Sequence, residues 1–217
     1  KLRQVPGASL LVLFVHGFLG GPGQFLGLEE AARQAGFATE TLLLPGHGKT
    51  ALDFVRHRSR EWQEAVNEAL ALRLGQYEKV ALVGHSMGGL LSVNASLQAG
   101  PAHGLALWET PMRLHLRPAG VKNNLEVAFL PPRFQGTVAR AYRQASNVRV
   151  VTPMGYLLTL PRAAELLGMM AATARALPRV QGPVLLIQSQ ADEIVHPGSL
   201  ERLREGLQNA QVTSLLL

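Results

Sequence analysis

Short apolar runs alternate along this chain with longer segments that mix apolar and polar residues. Leu10–Val15 is an unbroken apolar run that leads directly into His16 and Gly17. Such a run is typical of a strand that is buried on both faces of a parallel sheet. Comparable runs occur at 38–44, 80–83, 105–108, 184–187 and 212–217. Because segments of helical length separate most of these runs, the pattern predicts an α/β fold with crossover connections, a mostly parallel central sheet and helices on both faces.

Helices are predicted over 22–35, 59–74, 87–99, 161–177 and 197–207. The first and the last of these open with proline, whose missing N–H costs nothing in the first turn of a helix. The alternation breaks between about 111 and 160, where several prolines punctuate apolar stretches. We interpret this part as a lid inserted over the sheet, so that residues 1–217 form a single domain with one excursion.

Composition narrows the class of protein. Hydrophobic residues make up 47% of the chain and charged residues 17%, a balance typical of a globular domain. No apolar run approaches the roughly 18 residues of a membrane span, and no signal segment is recognisable at the start. We therefore expect a soluble, cytoplasmic protein without stable membrane insertion. The net charge of +6 is scattered along the chain, which favours a solvated surface over a nucleic-acid partner.

A candidate nucleophile follows the predicted strand at 80–83. Residues 84–88 read Gly-His-Ser-Met-Gly and lead into a predicted helix, which is the strand, G-x-S-x-G, helix arrangement of a nucleophile elbow. Ser86 would occupy a cramped turn in which a side chain at position 84 or 88 would collide with a neighbouring strand or helix. The Met87 N–H, at the start of the helix, is the expected donor to an oxyanion.

A second glycine-containing loop ends the first long strand. Residues 16–21 read His-Gly-Phe-Leu-Gly-Gly, close to the loop that supplies the other oxyanion donor in hydrolases with a nucleophile elbow. On its own this segment also fits a plain turn into the helix at 22–35. Together with the elbow at Ser86, it predicts that the Phe18 N–H is the second oxyanion donor.

These two motifs, together with Pro-Gly-His-Gly at 45–48 and Asp192, make the chain similar to α/β-hydrolases of the carboxylesterase and monoacylglycerol lipase group. The similarity spans nearly the whole chain. It implies the α/β-hydrolase fold with a small lid after the sixth strand of the family. It also implies a serine enzyme that cleaves esters with a Ser, Asp and His triad, without a cofactor or a metal. The expected partner is a small ester with an apolar acyl group, and the oligomeric state is left open.

The similarity assigns the triad acid to Asp192, which follows the predicted strand at 184–187. Its role would be to orient and stabilise a histidine. Two other carboxylates remain alternatives: Glu193 is adjacent, and Glu109 stands at the end of another predicted strand.

The histidine of the triad has no obvious candidate in the chain. In the family it follows the final strand, which is predicted here at 212–217, and no histidine comes after His196. We therefore expect that the C-terminal end is incomplete and that the catalytic histidine lies beyond Leu217. Among the histidines that are present, His115 is the one to test as an unusual base.

The lid carries apolar residues that would either wall an acyl pocket or simply pack the lid. They are Leu114, Leu116, Leu125, Val127, Phe129, Leu130, Phe134, Met154, Tyr156, Leu157 and Met169. Two alternative functions stay open at this point. The same scaffold can cleave thioesters or amides, and a catalytically inactive member of the fold would bind a small apolar ligand.

Overall fold

The computed structural model describes residues 1–115, 117–148 and 153–217. Its strands are β1 (Leu2–Arg3), β2 (Leu10–Val15), β3 (Ala38–Thr41), β4 (Lys79–His85), β5 (Gly104–Trp108), β6 (Gly182–Gln188) and β7 (Ala210–Leu216). They form one sheet in the order β1-β3-β2-β4-β5-β6-β7. The pairing of β1 with β3 is antiparallel, and every other neighbouring pair is parallel. The predicted, mostly parallel sheet is confirmed.

Eight α-helices are found in the described part of the chain. They are α1 (Leu26–Gln34), α2 (Ala51–Arg56), α3 (Ser59–Leu74), α4 (Met87–Gln98), α5 (Pro118–Phe129), α6 (Thr137–Ala145), α7 (Pro153–Ala176) and α8 (Ser199–Gly206). Short 3₁₀ helices occupy Pro22–Phe25, Pro132–Phe134 and Leu177–Arg179. None of the described helices is long and apolar enough to cross a membrane.

The alternating side chains of the central strands divide the core into two layers. Leu11 and Leu13 of β2 are completely buried in the larger cluster, in which α3 and α4 pack against the sheet. Val12 and Phe14 point to the opposite face, where they meet Phe25 and the helix α1. This two-residue period is that of a strand with both faces covered, so helices lie on both faces as predicted.

The face of the sheet that carries Val12 and Phe14 is covered mainly around β2, where α1 and Phe25 pack against it. Beyond the cluster around Phe25, a shallow groove runs across β4, β5, β6 and β7. On this face Leu185 remains 37% exposed and Leu215 remains 49% exposed. The packed core that supports the strand ends therefore lies on the side of α3 and α4.

Outside the predicted lid, one strand and one α-helix were not predicted from the sequence. The strand β1 is only two residues long, too short to produce a recognisable hydrophobic period. The helix α2 begins with a capping box, in which the Thr50 side chain accepts a hydrogen bond from the Asp53 N–H and the Asp53 side chain accepts one from the Thr50 N–H. A threonine followed three residues later by an acidic side chain is a recognised helix start, so this signal was available in the sequence.

The predicted lid region contains α5, α6 and the beginning of α7. Leu116 and residues 149–152 lie outside the described residues. The helix predicted from Pro161 starts at Pro153 instead, and Pro161 lies inside it. Proline is common at helix starts because it lacks an N–H. Here the helix continues through Pro161, and α7 packs against α2 and α4. That the region acts as a lid stays a prediction.

The helix α3 provides a matched test of the packing. Leu70 is completely buried, whereas Leu72 on the same helix is 53% exposed. We expect Leu70→Ala to lower the free energy of unfolding by about 2–5 kcal/mol because it leaves a cavity, and Leu72→Ala to change it by about 0.5 kcal/mol or less. Urea denaturation measures both. Equal losses for the two variants would contradict this arrangement of α3.

Candidate active site

Ser86 stands in a sharp turn between β4 and α4. Its backbone angles are φ 53° and ψ −121°, a strained conformation for a residue with a side chain. The Ser86 N–H donates to the Trp108 carbonyl at 2.8 Å, and the Ser86 carbonyl accepts from the Gly89 N–H at 2.9 Å. These two bonds tie the turn to β5 on one side and to the first turn of α4 on the other. The predicted elbow is therefore present as a strained turn.

The two glycines of the motif are needed because the backbone is crowded on both sides of Ser86. A Cβ added to Gly84 would lie 2.5 Å from the Gly88 carbonyl oxygen, and one added to Gly88 would overlap the Val15 carbonyl oxygen. No real Cβ tolerates such contacts with backbone atoms. The collisions predicted from the sequence therefore occur at Gly84 with α4 and at Gly88 with the end of β2.

The loop after β2 lies directly beside Ser86. A Cβ added to Gly17 would be 3.0 Å from the Ser86 Cβ and 3.2 Å from the His85 carbonyl oxygen. The next residue, Phe18, directs its ring away into an aromatic cluster. Its ring centroid is 5.0 Å from that of Phe54 and 6.3 Å from that of Trp62, both in edge-to-face geometry. This packing anchors the Phe18 side chain while the adjacent backbone runs past Ser86.

Met87 is the first residue of α4, and its side chain is completely buried. The first N–H groups of an α-helix have no acceptor within the helix and lie at the positive end of its dipole. The Met87 N–H therefore belongs to a helix end that is suited to stabilise negative charge beside Ser86.

The ends of β4, β5 and β6 bring the polar side chains together. In the parallel register His85 is paired with Trp108, and Trp108 with Ile187. The residues that follow these positions, Ser86, Glu109 and the β6 end at Gln188, therefore occupy one edge of the sheet. This is the edge at which open parallel sheets commonly place their functional groups.

Asp192 lies in the loop that follows β6. Its Oδ1 accepts hydrogen bonds from the Ile194 N–H at 2.7 Å and from the Val195 N–H at 2.6 Å. These two bonds fix one carboxylate oxygen by main-chain contacts. The alternative acid Glu193 points elsewhere, since both of its carboxylate oxygens accept from the Asn123 side chain at 3.0–3.1 Å.

The other alternative acid, Glu109, contacts the end of β6 and the start of the loop that carries Asp192. Its Oε1 accepts from the Ser189 N–H at 2.7 Å, and its Oε2 contacts the Gln188 side-chain amide. Burial raises the pKa of Glu109 to about 7, and the nearby charge of Asp192 adds to this effect. The sequence indicated Glu109 only as a competitor of Asp192. Nothing in the sequence indicated that Glu109 would contact Gln188 and Ser189.

Three histidines lie around the Ser86 turn: His16 and His47 are buried, and His85 is half-buried. The Nδ1 atom of His16 lies 3.0 Å from the Gly17 carbonyl, while its Nε2 accepts from the Leu44 N–H at 3.1 Å. Burial lowers the pKa of His16 and of His85 to about 4 and that of His47 to about 3. All three imidazoles are therefore neutral near pH 7. Through its contact with Leu44, His16 links the end of β2 to the loop that follows β3.

The remaining four histidines are engaged away from Ser86. The Nδ1 atom of His57 lies 2.6 Å from Glu61, His103 accepts from the Val80 N–H, and His196 accepts from the Gly198 N–H. His115 approaches Asp192, but its Nε2 lies 3.0 Å from the Asp192 main-chain carbonyl rather than the carboxylate. In the described part of the chain, no histidine hydrogen-bonds to the Asp192 carboxylate.

The apolar lid residues do not form one continuous wall in the described ranges. Phe129, Phe134 and Met154 are each more than 60% exposed, whereas Tyr156 and Met169 pack against the core cluster. An open groove of about 780 Å³ runs along the outer side of α5. Leu116 lies outside the described residues. The acyl pocket stays a prediction.

Possible metal ligands do not gather in the described ranges. No group of three histidine, aspartate or glutamate side chains there is placed to hold a metal ion.

A mostly parallel sheet with a strained serine at the turn into α4 defines the class of α/β hydrolases. The chain belongs to the α/β hydrolase family, whose sequence model matches residues 12–215. It is similar to a thermostable monoacylglycerol lipase of Bacillus sp. (strain H-257), with 26% identity over 203 residues that cover 92% of this chain and 77% of that protein. It is also similar to a carboxylesterase of Bacillus subtilis (strain 168), with 22% identity over 89% of this chain and 76% of that protein.

Solved structures agree with this family and with the predicted fold. A solved structure from work on the metagenome-derived lipolytic enzymes LipS and LipT matches with a TM-score of 0.74 and 25% identity. The match covers 99% of this chain and 86% of that chain. A monoacylglycerol lipase from Paleococcus ferrophilus has a TM-score of 0.70 and 20% identity, over 100% of this chain and 88% of that chain. The resemblance to the carboxylesterase and monoacylglycerol lipase group is confirmed.

The crowding at the elbow predicts different results for two glycine substitutions. Gly88→Ala should prevent folding or lower the free energy of unfolding by at least about 2 kcal/mol, because the new methyl group overlaps the Val15 carbonyl. Gly168→Ala is the control, since a Cβ there meets nothing within 4 Å and alanine favours the helix by about 0.5–1 kcal/mol. Thermal and urea unfolding measure both. A Gly88→Ala variant as stable as the wild type would contradict the crowded elbow.

Proposed function

We propose that this protein hydrolyses carboxylic esters through an acyl-enzyme on Ser86, as a carboxylesterase or a monoacylglycerol-lipase-like enzyme. The observation that carries the proposal is the strained turn at Ser86, with the loop at Gly17 beside it and the start of α4 behind it. Lipases and esterases among the relatives support ester hydrolysis. The turn supports serine as the nucleophile, because its strain holds the hydroxyl clear of the neighbouring backbone.

The reaction begins when a general base accepts the Ser86 proton and the Ser86 oxygen attacks the ester carbonyl carbon. The carbonyl oxygen becomes an oxyanion in the tetrahedral intermediate. The intermediate collapses when the alcohol leaves with the proton from the base, and the acyl group remains on Ser86. Water then attacks the acyl-enzyme in the same way, which releases the carboxylic acid and restores the serine.

The oxyanion is assigned to the backbone N–H groups of Phe18 and Met87. The position of Gly17 against Ser86 supports the first assignment, because the next N–H in the chain is that of Phe18. The position of Met87 at the start of α4 supports the second. Each such donor is typically worth about 10²–10³ in rate. The buried, neutral histidines around the turn add no competing charge.

Asp192 is assigned as the triad acid and a histidine beyond Leu217 as the base. The two main-chain bonds at Asp192 Oδ1 support a fixed carboxylate. The surroundings of the seven histidines within 1–217 support a base from outside this range. His16 and His47 are buried, and the low pKa of about 4 makes His85 a weak base. The other four imidazoles are occupied at other groups. In the complete triad, Asp192 would hold the ring of the histidine in the orientation that receives the Ser86 proton.

The substrate class is a small ester with an apolar acyl group. The apolar side chains of the predicted lid support this assignment, because a hydrophobic pocket gains about 1–3 kcal/mol for each methylene that it buries. Such a pocket distinguishes acyl chains by length rather than by a single polar contact. We therefore assign short to medium acyl chains to this site, and a flat dependence on chain length with nitrophenyl esters would contradict an apolar acyl pocket.

The role of Ser86 is tested with a fluorophosphonate probe, which reacts with activated serines. In the product of the complete gene, Ser86→Ala should abolish labelling and lower nitrophenyl ester hydrolysis by at least about 10³-fold. Ser96→Ala is the matched control, because the Ser96 hydroxyl on the same helix α4 donates to the Val93 carbonyl of its own helix. Labelling is mapped by mass spectrometry of the modified peptide.

Two results of this experiment would change the account. If no form of the folded protein is labelled at Ser86, the hydrolase assignment is wrong, and binding of a small apolar ligand takes its place. If the 217-residue chain alone is labelled as fast as the product of the complete gene, the base lies within 1–217, and His115 is the first residue to substitute.

A second pair of variants separates the two adjacent acids. Asp192→Asn should lower kcat by about 10²–10⁴-fold in the product of the complete gene, because an amide neither balances the charge of the histidine nor selects its correct tautomer. Glu193→Gln should change kcat less than about threefold, because the Glu193 carboxylate contacts Asn123. Steady-state kinetics measures both variants. A larger loss for Glu193→Gln would contradict the assignment of Asp192.

A further inference from the structure

A short segment of the predicted lid, after α6, is bonded to the loop that follows β2. The Asn147 and Val148 N–H groups both donate to the Leu19 carbonyl, at 2.9 Å and 3.3 Å. The Ser146 hydroxyl lies 3.3 Å from the same oxygen and donates to the Val148 carbonyl at 2.8 Å. Val148 is 1% exposed and packs in the larger core cluster. The 146–148 segment is therefore anchored in the core and holds the Leu19 carbonyl.

Leu19 has a backbone conformation that a residue with a side chain seldom adopts. Its φ is 58°, in the left-handed region that favours glycine. Leu19 is the third residue of a turn that closes where the Gly20 N–H donates to the Gly17 carbonyl at 3.0 Å. A positive φ at this position usually calls for glycine or asparagine. Such a conformation persists where the surroundings hold it in place, and the 146–148 segment supplies that hold.

Two successive peptide units connect this contact to the assigned oxyanion donor. In a trans peptide unit the C=O and the N–H point in opposite directions. The unit that joins Leu19 to Gly20 accepts from the 146–148 segment at its carbonyl and donates to the Gly17 carbonyl through its N–H. The Gly17 carbonyl belongs to the unit whose N–H is that of Phe18. The direction of the Phe18 N–H therefore depends on the hold on the Leu19 carbonyl.

The Gly17 carbonyl also has a donor on the side of β2. The His16 Nε2 accepts from the Leu44 N–H, so the neutral ring carries its hydrogen on Nδ1. This Nδ1 lies 3.0 Å from the Gly17 carbonyl. A carbonyl oxygen can accept two hydrogen bonds, and bonds in such a chain polarise one another. The peptide unit that carries the Phe18 N–H is thus held from two sides, and the bond from Gly20 is the one linked to the predicted lid.

We propose that residues 146–148 are positioning residues of the hydrolase site, which hold the Leu19 carbonyl and thereby aim the Phe18 N–H at the oxyanion. This inference rests on the proposed function, because it takes the Phe18 N–H as an oxyanion donor. The 146–148 segment acts through the loop at 17–20 and not on the substrate itself.

A substitution at Gly21 disturbs this contact from the opposite side of the loop. Gly21 is extended, with φ −168° and ψ 179°, a conformation that any residue adopts. A Cβ there would lie 2.5 Å from both the Cβ and the Cγ of Asn147. Because the Asn147 Cβ is attached to the backbone, rotation of its side chain cannot relieve this collision. Gly21→Ala should therefore displace the 146–148 segment from Leu19 without straining its own backbone.

The first test compares Gly21→Ala with Gly23→Ala in the product of the complete gene. A Cβ added to Gly23 meets nothing within 4 Å, which makes this variant the matched control. Gly21→Ala should lower kcat for nitrophenyl butyrate by at least about tenfold and change KM less than about threefold, because an oxyanion donor acts in the transition state. Gly23→Ala should keep both within about threefold of the wild type. Wild-type kinetics in folded Gly21→Ala would overturn the inference.

A thionoester distinguishes a misdirected oxyanion donor from general damage to the site. Its sulfur is a weaker hydrogen-bond acceptor than oxygen, so its reaction gains less from the Phe18 N–H. Gly21→Ala should slow an oxoester at least about threefold more than the matching thionoester. Equal slowing of the two substrates would overturn the proposed role of the 146–148 segment.

A double variant tests whether the collision is the cause. Gly21→Ala combined with Asn147→Gly lacks the side chain that the new methyl group strikes, but it keeps the N–H that donates to Leu19. Its kcat should exceed that of Gly21→Ala by at least about threefold, since the two substitutions affect one contact and are not additive.

Hydrogen exchange followed by NMR tests the contact itself without catalysis. In the folded wild type, the Asn147 and Val148 amides should exchange at least about tenfold more slowly than in an unstructured peptide, because both donate to Leu19. Gly21→Ala should speed the exchange of both. If no form of the protein hydrolyses esters, the hydrolase assignment fails, while these exchange rates still decide whether the 146–148 segment holds the loop. Unprotected Asn147 and Val148 amides in the wild type would overturn the inference.

Discussion

The close approach of three backbone segments at Ser86 is the constraint on which the site depends. The end of β2, the end of β4 and the first turn of α4 meet with no room for a side chain at Gly84 or Gly88. This crowding holds Ser86 in a strained turn and brings the loop at Gly17 against it. The packing that supports the crowding comes from the cluster of α3 and α4 on the sheet. The core, the turn and Ser86 are therefore packed as one unit.

Burial also controls the charge around this unit. The imidazoles of His16 and His85 stay neutral because burial lowers the pKa of both to about 4. Burial shifts the pKa of Glu109 in the opposite direction, to about 7, so this acid also tends toward its neutral form. An environment with few mobile charges strengthens the effect of fixed N–H dipoles on an oxyanion. The Asp192 carboxylate, which main-chain donors hold in place, supplies the negative charge of the proposed triad.

The sequence predicted the parts of the molecule that local patterns determine. Continuous apolar runs marked the buried strands, and the glycines around Ser86 marked the elbow. The contacts of Glu109 with Gln188 and Ser189 were not predictable, because they depend on the register of β5 with β6 and on a positive φ at Glu109. The start of α7 was missed because Pro161 resembles a helix start, although here it lies inside a long packed helix. The neutral state of the buried histidines likewise follows from tertiary burial and not from sequence position.

The central claim is that the acyl group of the substrate is transferred to Ser86. The most direct measurement is to mix the product of the complete gene with nitrophenyl butyrate, quench it in acid during turnover, and map the modified peptide by mass spectrometry. The account predicts one butyryl group per protein, attached to Ser86, which disappears once the substrate is consumed. Steady release of product with Ser86 unmodified, or a butyryl group on another residue that turns over at the catalytic rate, would contradict it.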